Sequence, residues 1–127
     1  MNNLPIHTGG GTEEIKITTR TFPGIKIIPI ETVNFNERVL ALVTFVIECR
    51  IMGGYDLLAR ISRTTPGIPS MLTNVVVLTT SRKYETRSHM SSFVLEPGPH
   101  EVYLECCVGG GTGYMRYHCY TTIFSAL

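Results

Sequence analysis

A chain of 127 residues with 43% hydrophobic residues can bury one sizeable core, so a second independent domain is not expected. The 11 basic and 10 acidic residues are scattered along the chain, and Arg82-Lys83 is its one basic pair, which leaves no electrostatic footprint for nucleic acid. Residues 1–12 carry no Lys or Arg and no apolar run of signal-peptide length, and the longest apolar stretch, residues 39–47, is too short to span a bilayer. These features predict no nucleic-acid partner, no membrane partner and no signal peptide.

The first thirty residues are predicted to form an extended arm that lies against a neighbouring molecule. Residues 1–12 combine Asn, Pro, Thr and three consecutive glycines, which bury little surface and lose much backbone entropy on ordering. Beyond them apolar residues alternate on both sides of a Phe-Pro-Gly break, and the prolines restrict these pieces to a sheet edge or a tail. The predicted arm contacts are Ile15, Ile17, Phe22, Ile25 and Ile27.

The next part of the chain alternates apolar and polar residues, as a half-buried strand does. Residues 39–51 are apolar at every odd position, which predicts a long strand with one buried face. Gly53 and Gly54 then turn the chain into a second alternating run over residues 55–61. The β-branched segment TNVVVLTT, residues 73–80, is predicted to be a third strand.

Turn signals also divide the C-terminal half of the chain into strands. Residues 81–92 are polar and are predicted to form either a strand or a loop, and residues 96–100 form a rigid Pro-Gly turn. Alternation over residues 102–108 ends at a glycine-rich loop, residues 109–113. Residues 114–124 are predicted to return from this loop as the last strand.

Turn signals about every ten residues, about seven to nine strands and no helical periodicity predict an antiparallel all-β sandwich or jelly roll. The sequence order adds a resemblance. A long apolar strand, a Gly-Gly turn, the segment ARISR, a β-branched strand and the segment FVLEPGPHEVYLECCVGGGTGYMRYHCYTTIFSAL resemble the tumour necrosis factor and complement-type jelly roll, and related phage and viral jelly rolls. The resemblance covers residues 32–127. It implies a jelly-roll domain over residues 31–127. The N-terminal arm predicted for residues 1–30 is a departure from that family, and the chain has no collagen-like stalk.

The four cysteines lack the spacing of a zinc site. They are Cys49, Cys106, Cys107 and Cys119. Adjacent Cys106 and Cys107 point to opposite faces of a strand, so they do not readily share one tetrahedral site. Buried reduced thiols are predicted. A bridge from Cys106 or Cys107 to Cys119 across a hairpin stays open as the alternative.

No motif predicts a bound cofactor or metal. The loop of residues 109–113 lacks the Lys-Ser/Thr and the following helix that make a glycine-rich loop bind phosphate, so it is interpreted as a flexible connection. The four histidines are spread over the arm, a loop, a turn and a strand, at no spacing that favours a metal site. They are His7, His89, His100 and His118.

No pair of side chains sits in a catalytic context. Pairing Cys107 with His118 requires a nucleophile elbow that the sequence lacks, as does pairing Ser92 with His100. The chain is therefore predicted not to be an enzyme.

The carboxylates Glu101 and Glu105 share a strand face. A glycosidase pair would need two carboxylates on either side of a cleft. Here a solvated face, or pairing with Arg116 across a hairpin, is predicted instead.

The last strand carries the most informative surface. If the odd positions from 115 to 123 face the core, an aromatic and basic row faces outward, although a register slip of one residue exchanges the two sets. Tyr and Arg are enriched at protein interfaces because they bury a large area at low entropic cost. The resemblance implies that this strand lines a threefold axis. The predicted oligomer or partner interface is Tyr114, Arg116, His118, Tyr120 and Phe124.

These expectations lead to a functional hypothesis. The chain is predicted to be a virion structural protein, a capsid cement or decoration protein that assembles in the host cytoplasm, with itself as a homotrimer and with the major capsid protein as partners. The alternative is a receptor- or carbohydrate-binding head of a viral or phage fibre, using the aromatic row or the loops at residues 66–67 and 97–100. A secreted cytokine-like ligand and a cupin-type enzyme rank below both.

Overall fold

The computed structural model describes the backbone of residues 6–65 and 68–127 and the side chains of residues 8–26, 34–64 and 72–127. This part of the chain contains ten β-strands and no helix. The strands are β1 (Ile6–Gly11), β2 (Ile15–Ile17), β3 (Ile25–Phe35), β4 (Val39–Met52), β5 (Leu57–Thr65), β6 (Ile68–Met71), β7 (Val76–Thr79), β8 (Glu85–Leu95), β9 (Gly98–Val108) and β10 (Thr112–Ala126).

The strands form two antiparallel sheets that pack face to face. The first sheet has the order β1-β10-β4-β8, with β2 also paired to β10. The second has the order β3-β9-β5-β6, with β7 also paired to β5. Sequence neighbours such as β9 and β10 lie in different sheets, as in a jelly-roll sandwich, so the predicted fold class is confirmed.

Strand β4 forms the centre of the core, as its alternation predicts. Every odd residue from Val39 to Ile51 is at most 2% exposed, whereas the even residues point away from the second sheet. Fully buried residues from other strands complete the cluster, including Leu57 and Leu104 of the second sheet. The core therefore forms between the inward faces of the two sheets.

The predicted N-terminal arm is part of the sandwich over its described residues, which corrects the division into an arm of residues 1–30 and a domain of residues 31–127. Strand β1 pairs with β10 along its whole length, from Ile6 opposite Ile123 to Gly11 opposite His118. Strand β3 pairs with β9 in the second sheet. Backbone hydrogen bonds to strands of the same chain therefore hold β1 and β3 in the sandwich, each along one edge.

The predicted arm contacts lie against their own domain. Ile17 is fully buried in the core, and Ile15 and Ile25 are partly buried against it. The Phe22 ring lies 4.2 Å from the Arg60 guanidinium of β5. Ile27 belongs to β3, but its side chain lies outside the described residues. The four described contacts are thus used within the chain, because β2, β3 and the segment between them place these side chains against the sandwich.

The turn predictions give mixed outcomes. Gly53 and Gly54 have φ values of +102° and +75°, a conformation that favours glycine, so the predicted turn is confirmed. The polar stretch over residues 81–92 contains most of a strand, since β8 begins at Glu85. The hairpin predicted between residues 102–108 and the last strand is wrong, because β9 and β10 belong to different sheets.

Candidate assembly interface

Strand β10 contains a bulge, and the residues that face the core differ in parity before and after it. Met115 lies opposite Cys49 and Tyr117 lies opposite Glu48, so Arg116 is an extra residue in β10. A bulge of this kind reverses the alternation of every residue beyond it. From Tyr117 onward, the odd residues of β10 therefore point outward.

This reversal corrects the predicted interface row. Tyr114 and Arg116 lie on the outward side, as predicted. Tyr120 and Phe124 are only 9% and 4% exposed and belong to the core, so their predicted outward placement is wrong. His118 is half-buried, and burial lowers the pKa of its imidazole.

The outer face of the first sheet, directed away from the second sheet, carries an apolar patch. The register pairs Leu42 with Ile123 and Leu40 with Val94, while Met90 lies opposite Thr44. Met90, Ile123 and Leu40 are 64%, 41% and 36% exposed. We call this set the apolar patch, and its members are Leu40, Leu42, Val46, Met90, Val94 and Ile123.

Beside the apolar patch, at the end of the outer face nearest the β4–β5 turn, aromatic rings alternate with cations. We call this the cation–aromatic end. The Arg50 guanidinium lies 4.7 Å from the Tyr84 ring centre and 4.9 Å from that of Tyr114. Arg116 lies 3.8 Å from the same Tyr84 ring and forms an ion pair with Glu48. The end thus joins β4, β10 and the start of β8 through cation–π contacts.

The Tyr84 hydroxyl connects the outer face to the segment before β2. Its hydroxyl donates a hydrogen bond of 2.8 Å to Glu14. Burial, together with that hydrogen bond, raises the pKa of Tyr84 above its ordinary value. The segment that leads into β2 is therefore tied to the outer face.

On the outer face of the second sheet, outward-pointing side chains of β9 are buried. Tyr103 and Glu105 of β9 point outward, yet each is only 1% exposed. Glu105 accepts a 2.5 Å hydrogen bond from Arg60, which Phe22 covers, and Lys26 lies 4.4 Å from the Tyr103 ring. These contacts replace the predicted pairing of Glu105 with Arg116.

The four cysteines are unpaired in the structure, which agrees with reduced thiols. Cys49, Cys106 and Cys107 are buried, and burial raises the pKa of Cys49 to about 11. Cys119 is half-buried and lies on the outer face, opposite Val46 of the apolar patch. A high pKa keeps a buried thiol protonated and unreactive.

No group of three or more potential metal ligands occurs among the described side chains. His100 lies 2.7 Å from the Glu96 carbonyl oxygen, and His89 packs 5.5 Å from the Phe45 ring. In the described residues no helix is long and apolar enough to cross a membrane.

A cleft of about 440 Å³ opens between β8 and the segment that precedes β7. Its walls carry hydroxyl, amide and imidazole groups beside a few apolar side chains. The lining residues are Leu72, Thr73, Asn74, Val76, His89, Met90, Ser91 and Ser92. The predicted ligand loop at residues 66–67 lies outside the described residues.

Sequence reasoning missed most of the outer face, including Arg50, Tyr84 and the apolar patch. The even positions of β4 carried a signal, because Leu40, Leu42 and Val46 interrupt its polar side. An exposed strand face with three such residues is unusual for an antiparallel sheet with one solvated side.

Comparison with known proteins is informative at the level of structure. No protein-family model matches the sequence, and no curated protein matches it. By contrast, 37 solved chains match. The Eiger TNF from S. frugiperda has a TM-score of 0.51 at 9% identity, covering 98% of this chain and 96% of that chain. The globular domain of zebrafish complement 1qA has a TM-score of 0.52 at 12% identity, covering 94% and 96%.

A structure of the infectious bursal disease virus Gt strain also matches, with a TM-score of 0.46 at 16% identity. The match covers 94% of this chain and 33% of the viral chain. The first two similarities extend over nearly the whole length of both partners, and at such low identity they concern the fold alone. The chain has a jelly-roll fold similar to that of tumour necrosis factor and the complement 1q globular domain.

Proposed function

We propose that the chain is a structural assembly module that self-associates through the outer face of its first sheet, and that it serves as a capsid cement or decoration protein. The observation that carries the proposal is the apolar patch. Ile123 and Met90 expose 41% and 64% of their surface, whereas Tyr103 and Glu105 on the outer face of the other sheet are each only 1% exposed. Contiguous exposed apolar surface rimmed by polar groups marks an interaction site.

The composition of the face fits an interface. Apolar side chains occupy its middle, while Tyr114, Tyr117 and Arg116 lie towards one end. Interfaces commonly have such an apolar centre with aromatic and Arg residues. The resemblance to tumour necrosis factor and complement jelly rolls favours a homotrimer, and the same face would close it.

Self-association is tested with a charge on the patch. Ile123→Glu places a carboxylate at the centre of the proposed contact, whereas Val77→Glu places one on β7 at a residue that is 55% exposed. We expect the wild type and Val77→Glu to be oligomers by light scattering and sedimentation, and Ile123→Glu to be a monomer with an unchanged melting temperature. A monomeric wild type, or an Ile123→Glu variant that stays oligomeric, would refute the role of this face.

The place in a virion is supported by the protein's all-β fold and by the absence of a catalytic motif in its sequence. In this proposal the major capsid protein is the second partner, and the protein assembles on shells in the host cytoplasm. It acts by bridging neighbouring subunits and has no enzymatic activity. Co-purification with intact particles, followed by the mass of the native particle, tests it. Particles that lack the protein would contradict a cement role while leaving self-association intact.

The cleft beside β8 favours one alternative, a carbohydrate-binding head. Its lining combines the hydroxyl, amide and imidazole groups of Ser91, Asn74 and His89 with apolar surface from Val76. Concave sites with a few polar groups on apolar walls are typical of small ligands. A glycan array with the purified protein tests this function, and an absence of binding would count against it.

A further inference from the structure

The cation–aromatic end contains a cation, Arg50, that has no ion-pair partner among the described residues. Arg116 has Glu48 as its ion-pair partner, but no described carboxylate pairs with Arg50. The Nε of Arg50 is buried and has no hydrogen-bond partner among the described residues. A buried donor left without an acceptor is costly, so such a group calls for an explanation.

Two aromatic rings limit the movement of the Arg50 side chain. The rings of Tyr84 and Tyr114 lie within 5 Å of its guanidinium carbon. A guanidinium donates hydrogen bonds only in its own plane. The aromatic rings therefore hold the donors of Arg50 in a fixed direction, which reduces the entropy that binding would cost.

Further basic residues lie on the strands and the loop next to Arg50. Lys16 of β2 lies opposite Tyr114, so β2, β10 and β4 carry Lys, Tyr and Arg in one row across the outer face. The Ser81 carbonyl accepts a hydrogen bond from the Ile51 amide, which brings the loop containing Arg82 and Lys83 to the end of β4. Neighbouring strands are roughly 5 Å apart, so the Lys16 and Arg50 backbones are about 10 Å apart.

The acidic side chains with partners at this end are bound to groups other than Arg50. Glu48 is bound to Arg116, and Glu14 accepts the Tyr84 hydroxyl. Glu13 precedes Glu14 and is exposed. The basic residues that strand pairing, the Ser81 hydrogen bond and the aromatic contacts bring to this end are Lys16, Arg50, Arg82, Lys83 and Arg116. Glu85, which follows Tyr84, is paired with Arg87.

We propose that the cation–aromatic end binds a tetrahedral oxyanion, a sulfate or phosphate group, with Arg50 as its main donor and Lys16 as a flanking charge. A tetrahedral group presents oxygens in several directions, which suits donors that arrive from separate strands. A carboxylate offers one planar pair and would satisfy Arg50 alone. The site lies beside the apolar patch, so it goes beyond the assembly function and does not depend on it.

Titration of the full-length protein with sodium sulfate, sodium phosphate and sodium acetate, at constant ionic strength set with sodium chloride, tests the proposal. Calorimetry or amide chemical shifts report binding, and the comparison of sulfate with phosphate shows which group is preferred. We expect saturable binding of at least one tetrahedral anion, and at least about tenfold weaker binding of acetate, because acetate engages fewer donors. No saturation above the chloride background, or tighter binding of acetate, would overturn the proposal.

Variants separate Arg50 from general basicity. Arg50→Gln is expected to weaken sulfate or phosphate binding by at least about tenfold, since it removes the charged fork. The exposed Lys16→Gln is expected to weaken it about threefold, in keeping with the loss of a screened charge, and serves if Arg50→Gln does not fold. Arg38→Gln, which removes the cation of an exposed pair with Glu96, is the control and is expected to bind as the wild type does. Equal weakening by Arg38→Gln and Lys16→Gln would refute a localised site.

Discussion

The two sheets of the sandwich treat their outer faces in different ways. The second sheet covers the part of its outer face formed by β9 and β5 with its own chain, since Phe22 lies over Arg60 and Lys26 lies over Tyr103, while Val77 of β7 stays exposed. There, even the carboxylate of Glu105 is only 1% exposed. The first sheet leaves its apolar patch exposed, and only its cation–aromatic end is tied down by the segment before β2.

This difference predicts that substitutions in the two outer faces affect different properties: stability in the second sheet and association in the first. Buried outward residues of the second sheet are explained by contacts inside the chain, so changes there should affect unfolding. Exposed apolar residues of the first sheet contribute little to the monomer's own core, so changes there should affect assembly. Four measurements follow, in order of decreasing expected effect.

Phe124 and Ile123 are adjacent in β10 and lie on opposite sides of it. Phe124 is 4% exposed and its ring centre is 5.0 Å from that of Phe35, so Phe124→Ala should lower the free energy of unfolding by about 3–5 kcal/mol. Ile123→Ala should lower it by less than about 1 kcal/mol, as is usual for exposed positions. Urea unfolding at low protein concentration measures both. Equal losses would mean that the two sides of β10 are not distinguished in solution.

The ion pair between Arg60 and Glu105 tests the covered face. Arg60→Met leaves a buried carboxylate without its partner, and we expect a loss of about 3–5 kcal/mol in the free energy of unfolding. The double variant Arg60→Met with Glu105→Leu should recover most of that loss, because no unpaired charge remains buried. Chemical denaturation of the single and double variants gives the comparison. A single variant as stable as the wild type would show that the pair is solvated.

The labelling rates of two cysteines compare the core, which contains Cys49, with the outer face of the first sheet, which contains Cys119. In the native monomer Cys119 should react with a maleimide at least about tenfold faster than Cys49, because burial raises the pKa of Cys49 to about 11. Mass spectrometry of digested protein gives the rates. Protection of Cys119 in the oligomer, and its loss in Ile123→Glu, would locate the interface on the outer face. Cys119 that reacts equally in the monomer and the oligomer would argue against that location.

The smallest effect concerns pH. Burial lowers the pKa of His118 below its ordinary value of 6.5, so the folded chain takes up this proton less readily than the unfolded chain. The stability of the fold with a neutral His118 is therefore fully present above pH 6.5. The free energy of unfolding falls as the pH decreases from 6.5 through the folded-state pKa of this imidazole. Urea unfolding between pH 8 and pH 5 should show a shallower decline in His118→Asn than in the wild type. Identical slopes would rule out this histidine.

Much of the fold could be predicted because its signals are local. The alternation over residues 39–51 and the turn at Gly53 and Gly54 each follow from short stretches of sequence. The jelly-roll class follows from many such stretches together. The predicted hairpin failed because assigning β9 and β10 to different sheets depends on contacts between distant residues, which periodicity does not carry.

The orientation of the last strand was harder to predict, because one extra residue, Arg116, reverses it. The alternation of β10 is regular on each side of Arg116, and nothing in the local sequence marks the bulge. Tyr120 and Phe124 therefore exchanged sides with Tyr117 and Ile123. The prediction of an arm was also wrong because of contacts between distant residues. Prolines and glycines near β1 and β3 weaken strand propensity, but pairing of β1 with β10 and of β3 with β9 outweighs this weakness.

The bulge at Arg116 also has a consequence for how β10 can change. Because Arg116 is the extra residue that brings Tyr120 and Phe124 inward, deleting it would present the opposite side of the C-terminal half to the core or slide that half along β4. Outward positions of β10 can therefore exchange one side chain for another, but the number of residues between Met115 and Phe124 is fixed by the core. Loops at the ends of the sandwich, rather than this strand, are where the chain can change in length.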